Sequence, residues 1–206
     1  NSGARAGDRV YLTKPIGMGA MTTGAKLEKI DWEAMRPAAE QMAVLNDRAA
    51  AAMLAAGCQA CPDVTGFGLV GHGRNLAVAS KATLAIEVAR VPVFPGALEL
   101  ARRGVLSGGA KRGRASLAAE VRVAPGLDEA LVNLCFDAET SGGLLIAVPP
   151  RSAGTLEREL RARELPVQAI GEFTAWAGVA VELEGDTVRT VRGERLFIGN
   201  ESGEVV

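Results

Sequence analysis

The sequence predicts an α+β fold, a mixed β-sheet covered by helices. Three observations lead there. Apolar stripes at helical spacing and short strand-like runs alternate along the chain instead of segregating. Strand-like runs gather late, at 144–148, 167–170, 178–183 and 187–191, with Gly185-Asp186 as a hairpin turn between the last two. No internal repeat or low-complexity run breaks this mixture.

The elements follow in order. Val10, Tyr11 and Leu12 make 9–13 a strand, and Lys14-Pro15-Ile16-Gly17-Met18-Gly19 breaks regular structure. Met35, Ala38, Met42, Leu45, Ala49 and Met53 recur at spacings of three and four, which predicts one core-facing helix over about 31–56. Asp31 suits its N-cap and Gly57 its stop. An apolar segment, 58–64, precedes the break Gly66-Phe67-Gly68, and 69–79 returns to helix. A strand is expected at 82–88, a helix at 95–103 and a Gly-rich loop at 107–113. Asp128 and Glu129 open a helix over 127–135, where they favour the helix dipole. Ser152 caps another over 152–163.

Composition narrows the function classes. Apolar residues are 48% of 206, enough for a core. Lys and Arg total 23 against 24 Asp and Glu, so no basic surface calls for nucleic acid or anionic lipid. Aromatics at 4% supply no base-stacking platform. No apolar run is long enough for a membrane span and no secretory signal pattern opens the chain, so a cytoplasmic location is expected. Residues 1–7 read as a linker or tag remnant, 8–192 as one domain and 193–206 as a polar tail. Cys58 and Cys61 form a C-x-x-C pair, but only Cys135 and His72 could complete a zinc site, and the three cysteines read as small buried residues.

Two stretches carry the chemistry. In Asp63-Val64-Thr65-Gly66-Phe67-Gly68-Leu69-Val70-Gly71-His72 an aspartate ends a buried strand, and a hydroxyl and two glycines lead into a helix. Glycines let backbone N–H groups approach a phosphate, and a carboxylate beside them can hold magnesium between phosphate oxygens. An N-cap aspartate after a tight turn has the same pattern. Asp137-Ala138-Glu139-Thr140-Ser141-Gly142-Gly143-Leu144-Leu145 is a polar loop before a strand; it suits either the wall of a site or a solvent-exposed turn. His72, the one histidine, reads as a packed or capping residue, and Lys14 as an exposed strand-end lysine.

Together the stretches resemble the selenophosphate synthetase (selenide, water dikinase) family, in the aminoimidazole ribonucleotide synthetase-like superfamily. The first is similar to D-V-T-G-F-G-L-L-G-H, with Val70 the one substitution. The second is similar to D-P-Q-T-S-G-G-L-L, and Leu12-Thr13-Lys14-Pro15-Ile16-Gly17 to L-T-K-P-L-G. The resemblance extends over about 7–185. It implies the C-terminal domain of an enzyme that turns ATP, selenide and water into selenophosphate, AMP and phosphate. Asp63 matches a magnesium ligand, and Thr65, Gly66, Gly68, Thr140, Ser141, Gly142 and Gly143 line the nucleotide site. The reactive cysteine or selenocysteine and the remaining acidic ligands belong to an N-terminal catalytic domain that these residues do not include. The expected partners are that domain, ATP, selenide and a second copy in a homodimer, and the isolated domain is expected to be inactive. Glu139 stands where the family has Gln and Ala138 where it has Pro, and Ala110 and Gly113 replace a hydroxyl and an amide in the Gly-rich loop. These departures motivate an alternative, a non-catalytic binding or regulatory module of the same fold. Another enzyme of the superfamily, such as a purine-pathway synthetase, is a third reading.

Overall fold

A computed structural model describes residues 2–185 and the backbone of two further strands, Val188–Val191 and Glu194–Phe197. A six-stranded mixed sheet organises the domain. Its strands are β1 (Arg9–Leu12), β2 (Ala82–Glu87), β3 (Val121–Val123), β4 (Leu145–Val148), β5 (Ala169–Ala175) and β6 (Val181–Glu184), in the order β3-β6-β2-β5-β1-β4. β1 is antiparallel to β4 and β5, β2 is antiparallel to β5, and β6 runs parallel to both β2 and β3. The expected α+β class with a mixed sheet is therefore present. The last two strands, β7 (Val188–Val191) and β8 (Glu194–Phe197), pair with each other as a separate ribbon. β7 is thus not the hairpin partner of β6 that Gly185-Asp186 suggested; Asp186 lies outside the described residues.

Strand alternation sorts the core into two unequal layers. Val10, Leu12, Leu145 and Ala147 join Leu84, Ile86 and Phe173 in the main core. It is covered by α1 (Met18–Lys26), α2 (Trp32–Ala43), α4 (Gly68–Ser80), α5 (Ala97–Arg102) and α7 (Glu129–Phe136). Tyr11, Ile146 and Val148 point the other way, into a smaller cluster closed by α3 (Asp47–Ala55) and α8 (Pro150–Ala162). Each fully buried Leu or Ile contributes about 1.5–3 kcal/mol of burial energy. The wide face therefore dominates stability.

Three elements differ from the sequence reading. The single helix over 31–56 is broken into α2 and α3, because Val44 turns to an extended conformation. Asp31 does cap α2, accepting from the Ala34 N–H, and Gly57 stops α3 at φ 71. Of the apolar stripe, Met35, Ala38 and Ala49 are buried while Leu45 is 72% exposed. Residues 18–26 are helix α1, although two glycines and two threonines make that segment a weak helix former. The Gly-rich segment is α6 (Gly108–Ser116), capped by Ser107, whose hydroxyl accepts from the Gly109 N–H. Smaller shifts occur elsewhere: α8 begins at Pro150 with Pro149 at its cap, not at Ser152, and β5 runs on to Ala175.

Candidate functional site

The two motif stretches lie side by side. Leu145 and Ala147 of β4 donate N–H bonds to the carbonyls of Pro62 and Ala60, so 60–64 runs antiparallel along β4 with a bridge between Asp63 and Leu144. No longer strand forms at 58–64; the aspartate is itself the one bridged residue rather than the end of a buried strand. The lacing continues as Val64 N–H donates to Gly143 O (2.8 Å) and Glu139 N–H to Thr65 O (2.9 Å). Asp63 therefore bridges Leu144, Val64 lies against Gly142 and Gly143, Thr65 bonds Glu139 and Gly68 lies against Asp137, with Thr140 and Ser141 in the intervening loop. Glycine is required where the two stretches touch. A Cβ on Gly142 would overlap the Val64 carbonyl and one on Gly143 the Lys14 backbone nitrogen, while one on Gly68 would lie 2.5 Å from Asp137 O.

The surface of this junction is polar and open. Asp63, Gly66, Phe67, Thr140 and Ser141 are exposed. Among the described residues no backbone or side-chain N–H or O–H donates to the Asp63 carboxylate, and α4 takes no cap from it. α4 begins after Phe67 with no side-chain cap and no acidic residue in its first turn. The first N–H of α4, that of Gly68, donates to the Thr65 carbonyl (2.9 Å), and Leu69 and Val70 after it are fully buried. Thr65, placed to cap α4, instead shares a 3.0 Å hydrogen bond between its Oγ1 and Nε2 of His72. The Phe67 ring leans on the same imidazole at 5.7 Å. Burial lowers the His72 pKa and the Asp63 charge opposes this, which leaves a neutral imidazole at pH 7. His72 is thus the packed residue expected.

Behind the junction lies a buried polar scaffold that the sequence reading missed. Glu139 is 5% exposed and turned inward, and its two carboxylate oxygens accept the N–H groups of Gly17 (2.7 Å) and Met18 (2.9 Å). It caps α1 from 121 residues away in sequence. Burial pushes its pKa up to about 8, against the lowering effect of the two N–H bonds, and the nearby Asp137 adds to the rise. Asp137 is fully buried; its Oδ1 accepts from the Ser107 N–H and hydroxyl and from the Ala138 N–H. Burial raises its pKa as well. These bonds anchor the start of α6, which explains why 107–113 is not a loop.

Lys14 is not the exposed strand-end residue expected. It is 6% exposed, and its ammonium donates to the carbonyls of Val44 (2.6 Å) and Ser141 (2.9 Å). Asn46 donates from Nδ2 to Gly142 O at 2.9 Å. No local signal marks Lys14, which lies in the bend beyond β1. Nothing local marks Asn46.

A metal needs more than this chain's described residues offer. Among them, no group of three or more His, Cys, Asp or Glu side chains converges on one point. Asp63 offers one open carboxylate, which fits one ligand of a magnesium ion whose other ligands come from elsewhere. The cysteines are all free; burial raises the Cys58 thiol and pushes those of Cys61 and Cys135 up to about 12, so none is a ready thiolate. Among the described residues no helix is long and apolar enough to cross a membrane.

Residues 5–184 match the model of the AIR synthase related protein, C-terminal domain. The chain is 41% identical over 160 residues to the selenide, water dikinase of Caldanaerobacter subterraneus subsp. tengcongensis, covering 78% of this chain and 46% of that protein. It is 38% identical over 181 residues to the selenide, water dikinase of Citrifermentans bemidjiense, covering 88% and 52%. It thus spans about half the length of the curated relatives it matches. The hydrogenase maturation protein HypE, solved in complex with ATP, shares the fold at a TM-score of 0.53 and 20% identity, over 84% of this chain and 44% of that one. The same laced junction of glycines and open carboxylate thus sits in a chain that belongs to the AIR synthase related C-terminal domain family and resembles, within it, the selenide, water dikinases.

Proposed function

We propose that the chain is the C-terminal half of an ATP-dependent selenophosphate synthetase, which makes selenophosphate, AMP and phosphate from ATP, selenide and water. The observation that supports this most is the junction itself: the exposed Asp63 carboxylate lies beside a loop whose Gly142 and Gly143 N–H groups have no hydrogen-bond partner among the described residues, a pairing suited to phosphate oxygens and a metal. The relatives' names, selenide, water dikinase, supply the reaction class. In this reading Asp63 provides one magnesium ligand, and Thr65, Gly66, Gly68 and the 140–143 loop orient phosphate groups. A magnesium ion held there would neutralise charge on the transferring phosphoryl group. The nucleophile, the other metal ligands and much of the ATP site would come from an N-terminal domain, and the whole protein would work as a homodimer in the cytoplasm.

The alternative of a non-catalytic module rested in part on Glu139 adding charge beside an anion. The side chain instead turns inward to α1, where its oxygens accept two backbone N–H groups, so it places no charge on the open face. That observation favours the catalytic reading. The test is selenide-dependent AMP formation by the full-length protein carrying this chain. Turnover that requires selenide supports the proposal. Binding of ATP without any selenide-dependent AMP would favour the module, and aminoimidazole ribonucleotide synthesis would favour the purine-pathway reading.

A further inference from the structure

We infer that Lys14 and Asn46 are positioning residues that fix the 140–143 loop from behind, so that its backbone N–H groups face an anion. The inference rests on the functional reading above for what the loop holds, and on geometry for how the loop is held.

Two consecutive carbonyls of the loop are drawn backwards, that of Ser141 by the Lys14 ammonium and that of Gly142 by the Asn46 amide. No peptide bond here is cis. In a trans peptide the N–H points opposite to the C=O of the same unit. Pulling back the Ser141 and Gly142 carbonyls therefore turns the N–H groups of Gly142 and Gly143 to the other side. Neither N–H has a hydrogen-bond partner among the described residues, although both glycines are buried. Buried N–H groups are almost always paired, so two adjacent free ones mark a place where something else accepts them. Ser141, at φ 52, adds the left-handed turn that lets successive N–H groups converge.

The holding groups are themselves incompletely matched. Lys14 is a buried cation bonded to two carbonyls and, among the described residues, to no carboxylate. Asn46 leaves its Oδ1 buried and without a partner. Burying such groups is costly. A Met and a Leu would fill the same space more cheaply if packing were all that was needed. The third anchor, the Val44 carbonyl, lies at the break between α2 and α3, so one ammonium joins that break to the loop. Lys14 also sets a positive charge directly behind a loop meant for an anion, where water screens it little.

The test uses the 206-residue chain and three variants, Lys14→Met, Lys14→Arg and Asn46→Ala. The reporters are the amide protons of Val64, donated to Gly143 O, and of Leu144, donated to Thr13 Oγ1. Lys14→Met and Asn46→Ala should speed their exchange by roughly tenfold or more, the effect of losing a bond to a charged or polar anchor, with exchange in β2 and β5 unchanged. Lys14→Arg, which keeps the charge and two donors, should recover most of the protection. Unchanged exchange at Val64 and Leu144 in both variants would overturn the inference. If Lys14→Met does not fold, Asn46→Ala alone decides, because it removes one hydrogen bond outside the core. A second arm measures kcat and the magnesium requirement in the full-length protein. Lys14→Met should lower kcat and raise the magnesium needed, and Lys14→Arg should restore both. Faster exchange with unaltered kinetics would overturn the positioning role, whereas a wild-type protein without selenide-dependent turnover would sink the functional reading and leave the exchange result standing.

Discussion

Asp63 and Glu139 are two carboxylates with opposite surroundings. Asp63 stands exposed on the junction with no hydrogen-bond partner among the described residues, so Asp63→Asn should leave folding almost unchanged. In the full-length protein, loss of one ligand from a phosphate-bridging metal should slow AMP formation on the order of 100-fold or more. Magnesium titration of the variant checks this, and wild-type activity at low magnesium would remove Asp63 from the site. Glu139 is buried with a pKa near 8, above the ordinary glutamate value of 4.5. A raised folded-state pKa means the native state holds a proton that the unfolded chain gives up. The associated stability is complete below about pH 4.5 and is lost as pH rises through 8, at about 1.4 kcal/mol per unit of displacement. Urea midpoints of the chain should therefore fall between pH 6 and pH 9. Glu139→Gln should flatten that slope, and an unaltered slope would show that Glu139 is ionised throughout, held by its two N–H donors.

At the scale of elements, helix ends are set by contacts from far away. α1 has no local cap and starts where Glu139 accepts its first N–H groups; α6 starts where Asp137 holds Ser107; α2 ends where Lys14 takes the Val44 carbonyl. Gly57 and Gly68 distinguish a local need from a tertiary one. Both have positive φ, 71 and 69, but a Cβ on Gly57 meets open space while one on Gly68 is driven against the Asp137 and Phe136 carbonyls. Gly57→Ala should cost about 1–2 kcal/mol, the left-handed penalty alone. Gly68→Ala carries that penalty together with the clash and should destabilise clearly more. Denaturant midpoints of the two variants give the comparison, and equal losses would mean that the α4 entry relaxes freely.

For the molecule as a whole, the sheet ties its two cores together, because β1 and β4 contribute alternate residues to each. The 206-residue chain should unfold in one cooperative transition, with far-UV and near-UV signals coincident. Two separated transitions would mean that the small layer under α3 and α8 melts by itself. The proposed division of labour also predicts that this chain alone, given ATP, magnesium and selenide, forms no AMP above background. Joined to the N-terminal half, it should become active. Robust turnover by the chain alone would refute the assignment of the nucleophile and remaining ligands to the other half.

The sequence by itself determined the class of fold and most of the elements with strong local signals. The strand-forming Val10-Tyr11-Leu12, the Asp31 cap, the acidic start of α7 and the Gly57 stop all act within a few residues, so they are legible without a fold. The two motif stretches and their pairing with a family were legible too, because chemistry constrains residue type in order. The tertiary structure alone decided the break between α2 and α3, the helices α1 and α6, and the directions of Lys14 and Glu139. Each depends on a hydrogen bond to a partner up to 127 residues away, and a buried polar group takes whichever partner the fold brings to it. Glu139 therefore reads as charge on a loop in sequence and as the cap of a helix in space.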